Sequence, residues 1–112
     1  MKNRQPELYL TDILESINQI EQYITGFTLG SFEEDLEKQD SVMRRLEIIG
    51  EAAKQMPEDF KAVHPEVPWR DIADFRNVLI HEYSGIKRER VWKVTQKDLP
   101  VLKAHIISFL RK

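Results

Sequence analysis

Apolar residues recur at steps of three and four in four long segments of this chain, which is the spacing of amphipathic helices. No segment alternates apolar and polar residues as a strand does, and the four glycines leave few places for tight β-turns. The sequence therefore predicts an all-α fold, an up-and-down bundle of four main helices. The four expected helices are Glu7–Ile24, Asp40–Met56, Pro68–Tyr83 and Gln96–Leu110.

Short extra helices are expected between the main ones. Ser31 with Glu34 has the spacing of a capping box and predicts a brief helical turn that starts there. Thr95 with Asp98 has the same spacing and predicts the start of the last helix. Two further short helices are expected around residues 59–63 and 86–94.

The second helix is expected to be buried along one side and to cross a neighbour closely. Gly50 in its middle costs about 1 kcal/mol relative to alanine. Because Ala52 and Ala53 follow, this run of small residues predicts a close helix–helix crossing. The core positions predicted for this helix are Val42, Met43, Leu46, Ile49, Ala53 and Met56. Trp69 and Trp92 are expected in the core or at a dimer interface.

Length and composition exclude several classes of protein. A chain of 112 residues is expected to form one domain, residues 1–112. No cysteine is present, so neither disulfides nor thiolate metal sites are expected. No apolar run is long enough for a membrane span, and the N-terminus lacks the apolar core of a signal peptide. A cytoplasmic protein is therefore expected.

The net charge argues against non-specific attraction to nucleic acid. The formal net charge is -2 and the pI is about 5.9. Overall positive charge is therefore not what draws this protein to RNA. If the chain acts on RNA, the attraction must be local or shared with a partner.

The third helix carries an unusual polar set near its C-terminal end, within the run PWRDIADFRNVLIHEYSG. At about 100° per residue, Arg76 and Tyr83 lie within about 20° of each other around the helix axis. Arg76 and His81 are separated by about 140°. Because they do not share a face, either Arg76 wraps toward His81 or two subunits complement each other across a twofold axis. The spacing therefore predicts a homodimer.

These residue types suit RNA cleavage through the 2′-hydroxyl. Histidine exchanges a proton near neutral pH, and arginine binds phosphate bidentately and stabilises the charge of a pentacoordinate phosphorus. Neither role needs a metal, and the scattered His64, His81 and His105 form no metal-ligand motif. No cofactor is expected.

A structural interpretation of the same residues stays open. Arg76 would then pair with Asp74, with Glu82 or with an acid on the second helix. Other polar residues have equally ordinary interpretations. Arg44 or Arg45 would pair with Glu47 or Glu51 along the second helix, and His64 would be a loop residue. The basic cluster Lys87, Arg88 and Arg90 either guides RNA or forms a solvated turn.

The run RNVLIHEY matches the pattern R-x-x-x-x-H-x-Y, and the chain resembles HepT-like proteins of the HEPN (higher eukaryotes and prokaryotes nucleotide-binding) superfamily. The resemblance extends over most of the chain. Asp74 departs from it, because glycine is frequent at that position in the family. The supporting blocks are RRLEIIGEAAK, PWRDIADFRN and VWKVTQKDLPVL.

The resemblance implies an all-α homodimer with a cleft between paired helices. It also implies a metal-independent endoribonuclease, the toxin of a type VII toxin–antitoxin pair. The implied partner is a minimal nucleotidyltransferase antitoxin that transfers AMP to the motif tyrosine. By motif position, the implied catalytic residues are Arg76 and His81, the modified residue is Tyr83, and the supporting residues are Asn77, Glu51 and Arg45.

A second function stays open beside the ribonuclease. In it the chain is a non-catalytic helical module that docks a nucleotidyltransferase and binds nucleotide. Arg76 then holds a nucleotide phosphate and His81 transfers no proton.

Overall fold

The computed structural model describes residues 5–81 and 87–111, and all regular structure in these ranges is helical. The predicted all-α fold is confirmed. The elements in chain order are α1 (Pro6–Ile24), α2 (Leu29–Glu33), α3 (Leu36–Gln55), α4 (Glu58–Val63), α5 (Trp69–His81), α6 (Arg88–Lys93), a π-helical turn (Val94–Asp98) and α7 (Leu99–Leu110).

Helix α3 begins earlier than the predicted Asp40 because an aspartate caps it. The Asp35 carboxylate accepts a hydrogen bond from the backbone N–H of Lys38 at 2.9 Å, which satisfies a donor that the first turn leaves free. Capping also corrects the prediction for the preceding short helix. Thr28, not Ser31, is the N-cap of α2, and Ser31 is the third helical residue, which donates its backbone N–H to Thr28 Oγ1 at 3.2 Å.

The predicted start of the last helix near Gln96 is wrong. Helix α6 continues through the π-helical turn into α7 without a break. The Thr95 hydroxyl donates to the backbone carbonyl of Trp92 at 2.7 Å instead of capping a helix. The backbone N–H of Leu99 donates to the carbonyl of Val94, five residues back, so the turn is one residue wider than an α-turn.

The core agrees with the periodicity of the sequence. All six core positions predicted for the second helix are buried. Trp69 is buried and its indole N–H donates to the carbonyl of His64 at 3.0 Å. Trp92 is half-buried, with its ring centroid 5.3 Å from that of Phe32. Both tryptophans therefore pack within the chain.

The four long helices form a bundle that is closed on one side and open on another. Helix α3 packs on both α1 and α5, and α7 packs on α1. Contacts between α5 and α7 are few, and a groove of about 620 Å³ lies between them with Leu46, Ile49, Ile72 and Phe75 among its lining residues. Helix α5 is therefore held mainly from one side. Within the described ranges, no helix is both long and apolar enough to cross a membrane.

Candidate active site on helices α3 and α5

The close crossing predicted from Gly50 lies at the candidate site. A Cβ atom placed on Gly50 would lie 2.6 Å from the Cβ of Arg76 and 3.2 Å from the backbone oxygen of Ile72. Real side chains do not approach this closely, so only glycine fits here without a shift of α5. The first carbon of the Arg76 side chain therefore rests directly on the backbone of α3.

The guanidinium of Arg76 is held by the residue after this glycine. Arg76 Nε lies 3.2 Å from Glu51 Oε1, and the two side chains are 29% and 45% exposed. The second carboxylate oxygen, Glu51 Oε2, accepts a hydrogen bond from Gln55 Nε2 at 3.1 Å. Glu51 is an acid on α3, the second of the four main helices predicted. It is one of the partners that the structural interpretation of Arg76 predicts.

This ion pair leaves part of the guanidinium available. No second carboxylate in residues 5–81 or 87–111 lies within ion-pair distance of Arg76. Asp74 is exposed and forms no ion pair with Arg76. The contact with Glu51 is made by Nε, the nitrogen nearest the aliphatic part of the side chain.

His81 and Asn77 lie on a different face of α5 from the guanidinium. Both are exposed, and they are one helical turn apart. No hydrogen bond joins Arg76 to His81, as their separation of about 140° around the axis leads one to expect. Within one chain the two predicted catalytic residues are therefore not hydrogen bonded to each other. Tyr83 lies outside the described residues.

The arginines of α3 differ from one another in their contacts. Arg44 Nη1 lies 3.8 Å from Glu47 Oε1 on the same helix, which confirms one of the predicted ion pairs. Arg45 is half-buried and forms no ion pair with an acid in the described ranges. Glu51 pairs with α5 instead of with either arginine.

The basic cluster after the site helix is more than a solvated turn. All three side chains are exposed, but Arg88 Nε donates to Gln39 Oε1 at 2.8 Å. The Arg90 guanidinium lies 5.1 Å from the ring centroid of Phe75, within reach of a cation–π interaction. Two of the three cations therefore also contact the bundle.

His64 lies in the loop after α4, as predicted. Its ring also packs on those of Phe60 and Phe109, with centroid distances of 4.6 and 4.2 Å. Its Nδ1 lies 3.3 Å from Glu66 Oε2. A hydrogen bond from the Glu66 backbone N–H, with the His64 side chain adding to it, holds the pKa of the Glu66 carboxyl below its usual range. The sequence gives no signal for this arrangement, because Phe109 is distant along the chain.

The imidazoles and carboxylates of the described ranges do not form a metal cluster. No three His, Asp or Glu side chains in residues 5–81 and 87–111 are arranged so that they could hold a metal ion.

Comparison of the sequence with protein families and curated proteins identifies relatives of this chain. The family model described as "Ribonuclease HepT-like" matches residues 13–109. The chain is 46% identical over 95 residues to "Probable ribonuclease HepT" of Thermococcus cleftensis, covering 85% of this chain and 86% of that protein. No solved structure matches the chain.

Two further relatives differ in how much of their own length matches this chain. "Putative RNase TTE0752" of Caldanaerobacter subterraneus subsp. tengcongensis is 36% identical over 96% of each chain. "Gamma-glutamylcyclotransferase and putative RNase MJ0434" of Methanocaldococcus jannaschii is 40% identical over 95% of this chain. The match covers only 48% of that longer protein. The family model spans most of the chain, and the relatives match it over most of its length. The chain therefore belongs to the ribonuclease HepT-like family.

Proposed function

We propose that this chain is an endoribonuclease that cleaves RNA through attack of the 2′-hydroxyl, without a metal or cofactor. The observation that carries the proposal is the anchored arginine of α5, whose Nε lies 3.2 Å from Glu51 Oε1 while its side chain is 29% exposed. Membership in the HepT-like ribonuclease family supports the reaction class. RNA is the proposed substrate class.

In the proposed mechanism, His81 removes the proton of the 2′-hydroxyl as the 2′-oxygen attacks phosphorus. The bond from phosphorus to the 5′-oxygen breaks, and the leaving oxygen takes up a proton. Arg76 stabilises the negative charge that develops on the phosphoryl oxygens. The products are a 2′,3′-cyclic phosphate and a 5′-hydroxyl. Asn77, exposed one turn before His81, would hydrogen bond to the substrate near the imidazole.

The proposed active unit is a homodimer of a single HEPN domain, residues 1–112. The separation of about 140° between Arg76 and His81 on one helix supports this, because the partner's copy of α5 would complete the set across a twofold axis. Ile80, an apolar residue that is 41% exposed beside His81, offers a contact for a second subunit. Arg45 is proposed to support the cleft from α3.

The proposed biological role is the toxin of a type VII toxin–antitoxin system in the cytoplasm. The antitoxin would be a minimal nucleotidyltransferase that transfers AMP to Tyr83. Tyr83 comes seven positions after Arg76 in the sequence, and residues seven apart in a helix share one stripe. An added AMP would then place a bulky anion near the guanidinium and would block RNA both sterically and electrostatically.

The first test is His81→Ala in the purified protein. We expect cleavage of a single-stranded RNA to fall by about 100- to 10,000-fold, the usual contribution of general acid–base catalysis. His105→Ala is the matched control, because it removes an imidazole from the groove between α5 and α7 and not from the motif on α5. Wild-type protein should leave cyclic phosphate ends. Cleavage by His81→Ala at the wild-type rate would refute the assignment.

The second candidate is a non-catalytic module that docks a nucleotidyltransferase and binds a nucleotide phosphate at Arg76. The net charge of -2 favours it, because an acidic chain attracts RNA weakly. Expression of the chain alone separates the two, since a ribonuclease toxin arrests growth and a docking module does not. The intact mass after co-expression with a neighbouring nucleotidyltransferase gene tests AMP transfer in both cases.

A further inference from the structure

We infer that Glu51 is the positioning residue for Arg76: it holds the Nε edge of the guanidinium so that the opposite edge faces the substrate phosphate. This inference rests on the proposed ribonuclease function and adds a specific role for one carboxylate. Three features of the α3–α5 crossing carry it. They are the contact of Arg76 with Gly50, the nitrogen of the guanidinium that Glu51 contacts, and the hydrogen bond that Glu51 accepts from Gln55.

The first feature is the backbone approach at Gly50. The contact of Arg76 Cβ with this glycine fixes the base of the arginine side chain against α3. Glu51 is the next residue along α3, so its carboxylate lies beside the same side chain. The remaining torsions of a long arginine would otherwise leave the guanidinium in many positions.

The second feature is which edge of the guanidinium the carboxylate contacts. Arginine binds phosphate best with two parallel N–H groups. The Glu51 contact uses Nε at 3.2 Å, and no other carboxylate of residues 5–81 or 87–111 pairs with this guanidinium, so we assign the two terminal nitrogens to the phosphate. A carboxylate bound to both terminal nitrogens would instead compete with the phosphate.

The third feature is that the carboxylate is itself oriented. Gln55, one turn later on α3, donates to Glu51 Oε2, which leaves Oε1 for the arginine. Glu47, one turn earlier, pairs with Arg44 on its own helix and does not compete for Arg76. Because the Arg76–Glu51 pair is partly exposed, it contributes little to stability, and its effect should appear in the rate.

The test compares Glu51→Ala and Glu51→Gln, with Glu47→Ala as the matched control on the same helix. For Glu51→Ala, we expect kcat for cleavage of a single-stranded RNA to fall about 10- to 100-fold, because small misplacements of a catalytic group cost rates of this order. KM and the melting temperature should change little. Glu51→Gln keeps the size of the side chain but removes the charge of the ion pair, so it should lose rate as Glu51→Ala does. Glu47→Ala should behave as wild type.

Two further measurements keep this inference separate from the proposed function. Adding Glu51→Ala to Arg76→Ala should cause no further loss, because Glu51 acts only through the arginine. The Nε–H resonance of Arg76 should shift in Glu51→Ala because the nearby carboxylate is lost, and this measurement requires no activity. An unchanged resonance, a wild-type rate for Glu51→Ala or additive losses would overturn the positioning role. Wild-type cleavage by Arg76→Ala would instead overturn the proposed function.

Discussion

Helix α3 makes two contacts of opposite character, one with α1 and one with α5. Helix α1 contributes a continuous apolar stripe in which Leu10, Ile13, Ile17 and Ile20 are almost fully buried. Helix α5 has only Trp69 and Leu79 fully buried. Its contact with α3 includes the close approach of Arg76 to the backbone of Gly50 and the partly exposed ion pair with Glu51.

The difference shows how a small bundle separates stability from the candidate chemistry. The α1–α3 contact removes apolar area from water, which is the main source of folding free energy. The α3–α5 contact holds a cation in a fixed place but leaves it accessible. The groove between α5 and α7 leaves a second side of α5, with Ile72 and Phe75, partly uncovered.

The comparison predicts the largest loss of stability on the α1 side. Ile17 is 0% exposed, and Ile17→Ala should lower the free energy of unfolding by about 2–5 kcal/mol through lost burial and a residual cavity. Urea denaturation measures the change. Leu8→Ala on the same helix is the control, since Leu8 is 47% exposed and surface changes stay within about 0.5 kcal/mol. Equal losses for the two variants would contradict the comparison.

A smaller effect is expected at the crossing of α3 with α5. Alanine suits a helix better than glycine by about 1 kcal/mol, but in Gly50→Ala the new methyl would lie 2.6 Å from Arg76 Cβ. Overpacking of this kind costs about 1–3 kcal/mol, so we expect a net loss of up to about 2 kcal/mol together with reduced RNA cleavage.

Gly30→Ala in α2 is the control for Gly50→Ala. A Cβ there meets Thr28 Oγ1 at 3.8 Å, an ordinary contact, so this variant should be no less stable than wild type. Urea denaturation of both variants separates the steric effect from helix propensity. Stabilisation by Gly50→Ala would show that α5 shifts freely and that the crossing does not fix Arg76.

The smallest expected effect lies in the linker before α5. The pKa of Glu66 is lower in the folded chain than in the unfolded one, so this carboxylate contributes stability at neutral pH. The contribution is lost as the pH falls through the folded-state pKa. An NMR titration should show the low pKa, and Glu66→Gln should make unfolding slightly less sensitive to acid. A normal Glu66 pKa would contradict this.

Periodicity predicted the bundle because burial of apolar stripes dominates the fold, and it predicted the crossing at Gly50 because small residues permit close backbones. Capping spacings were less informative. The pattern at Ser31 and Thr95 matches a capping box, yet neither residue is an N-cap, since Thr28 begins α2 and α6 runs on into α7. A capping-box spacing of three positions indicates which side chains lie near each other, but not which residue begins the helix.

The candidate site was predicted only in part for a different reason. The pattern R-x-x-x-x-H-x-Y identifies Arg76 and His81 without their contacts. That Glu51 rather than Asp74 holds the guanidinium depends on how α3 crosses α5. Such contacts between helices depend on packing geometry, which no local pattern in the sequence contains.

The π-helical turn between α6 and α7 has a consequence for the permitted length of this helix. It lets Val91, Thr95 and Leu99, at steps of four, all face inward ahead of Leu102 and Ile106. Deleting one residue from Val94–Asp98 would rotate everything after it by about 100° and would turn Leu102 and Ile106 away from α1. We therefore expect insertions and deletions to disrupt this helix although Gln96, Lys97 and Asp98 are exposed. Tolerance of substitution at these positions would not imply tolerance of a change in length.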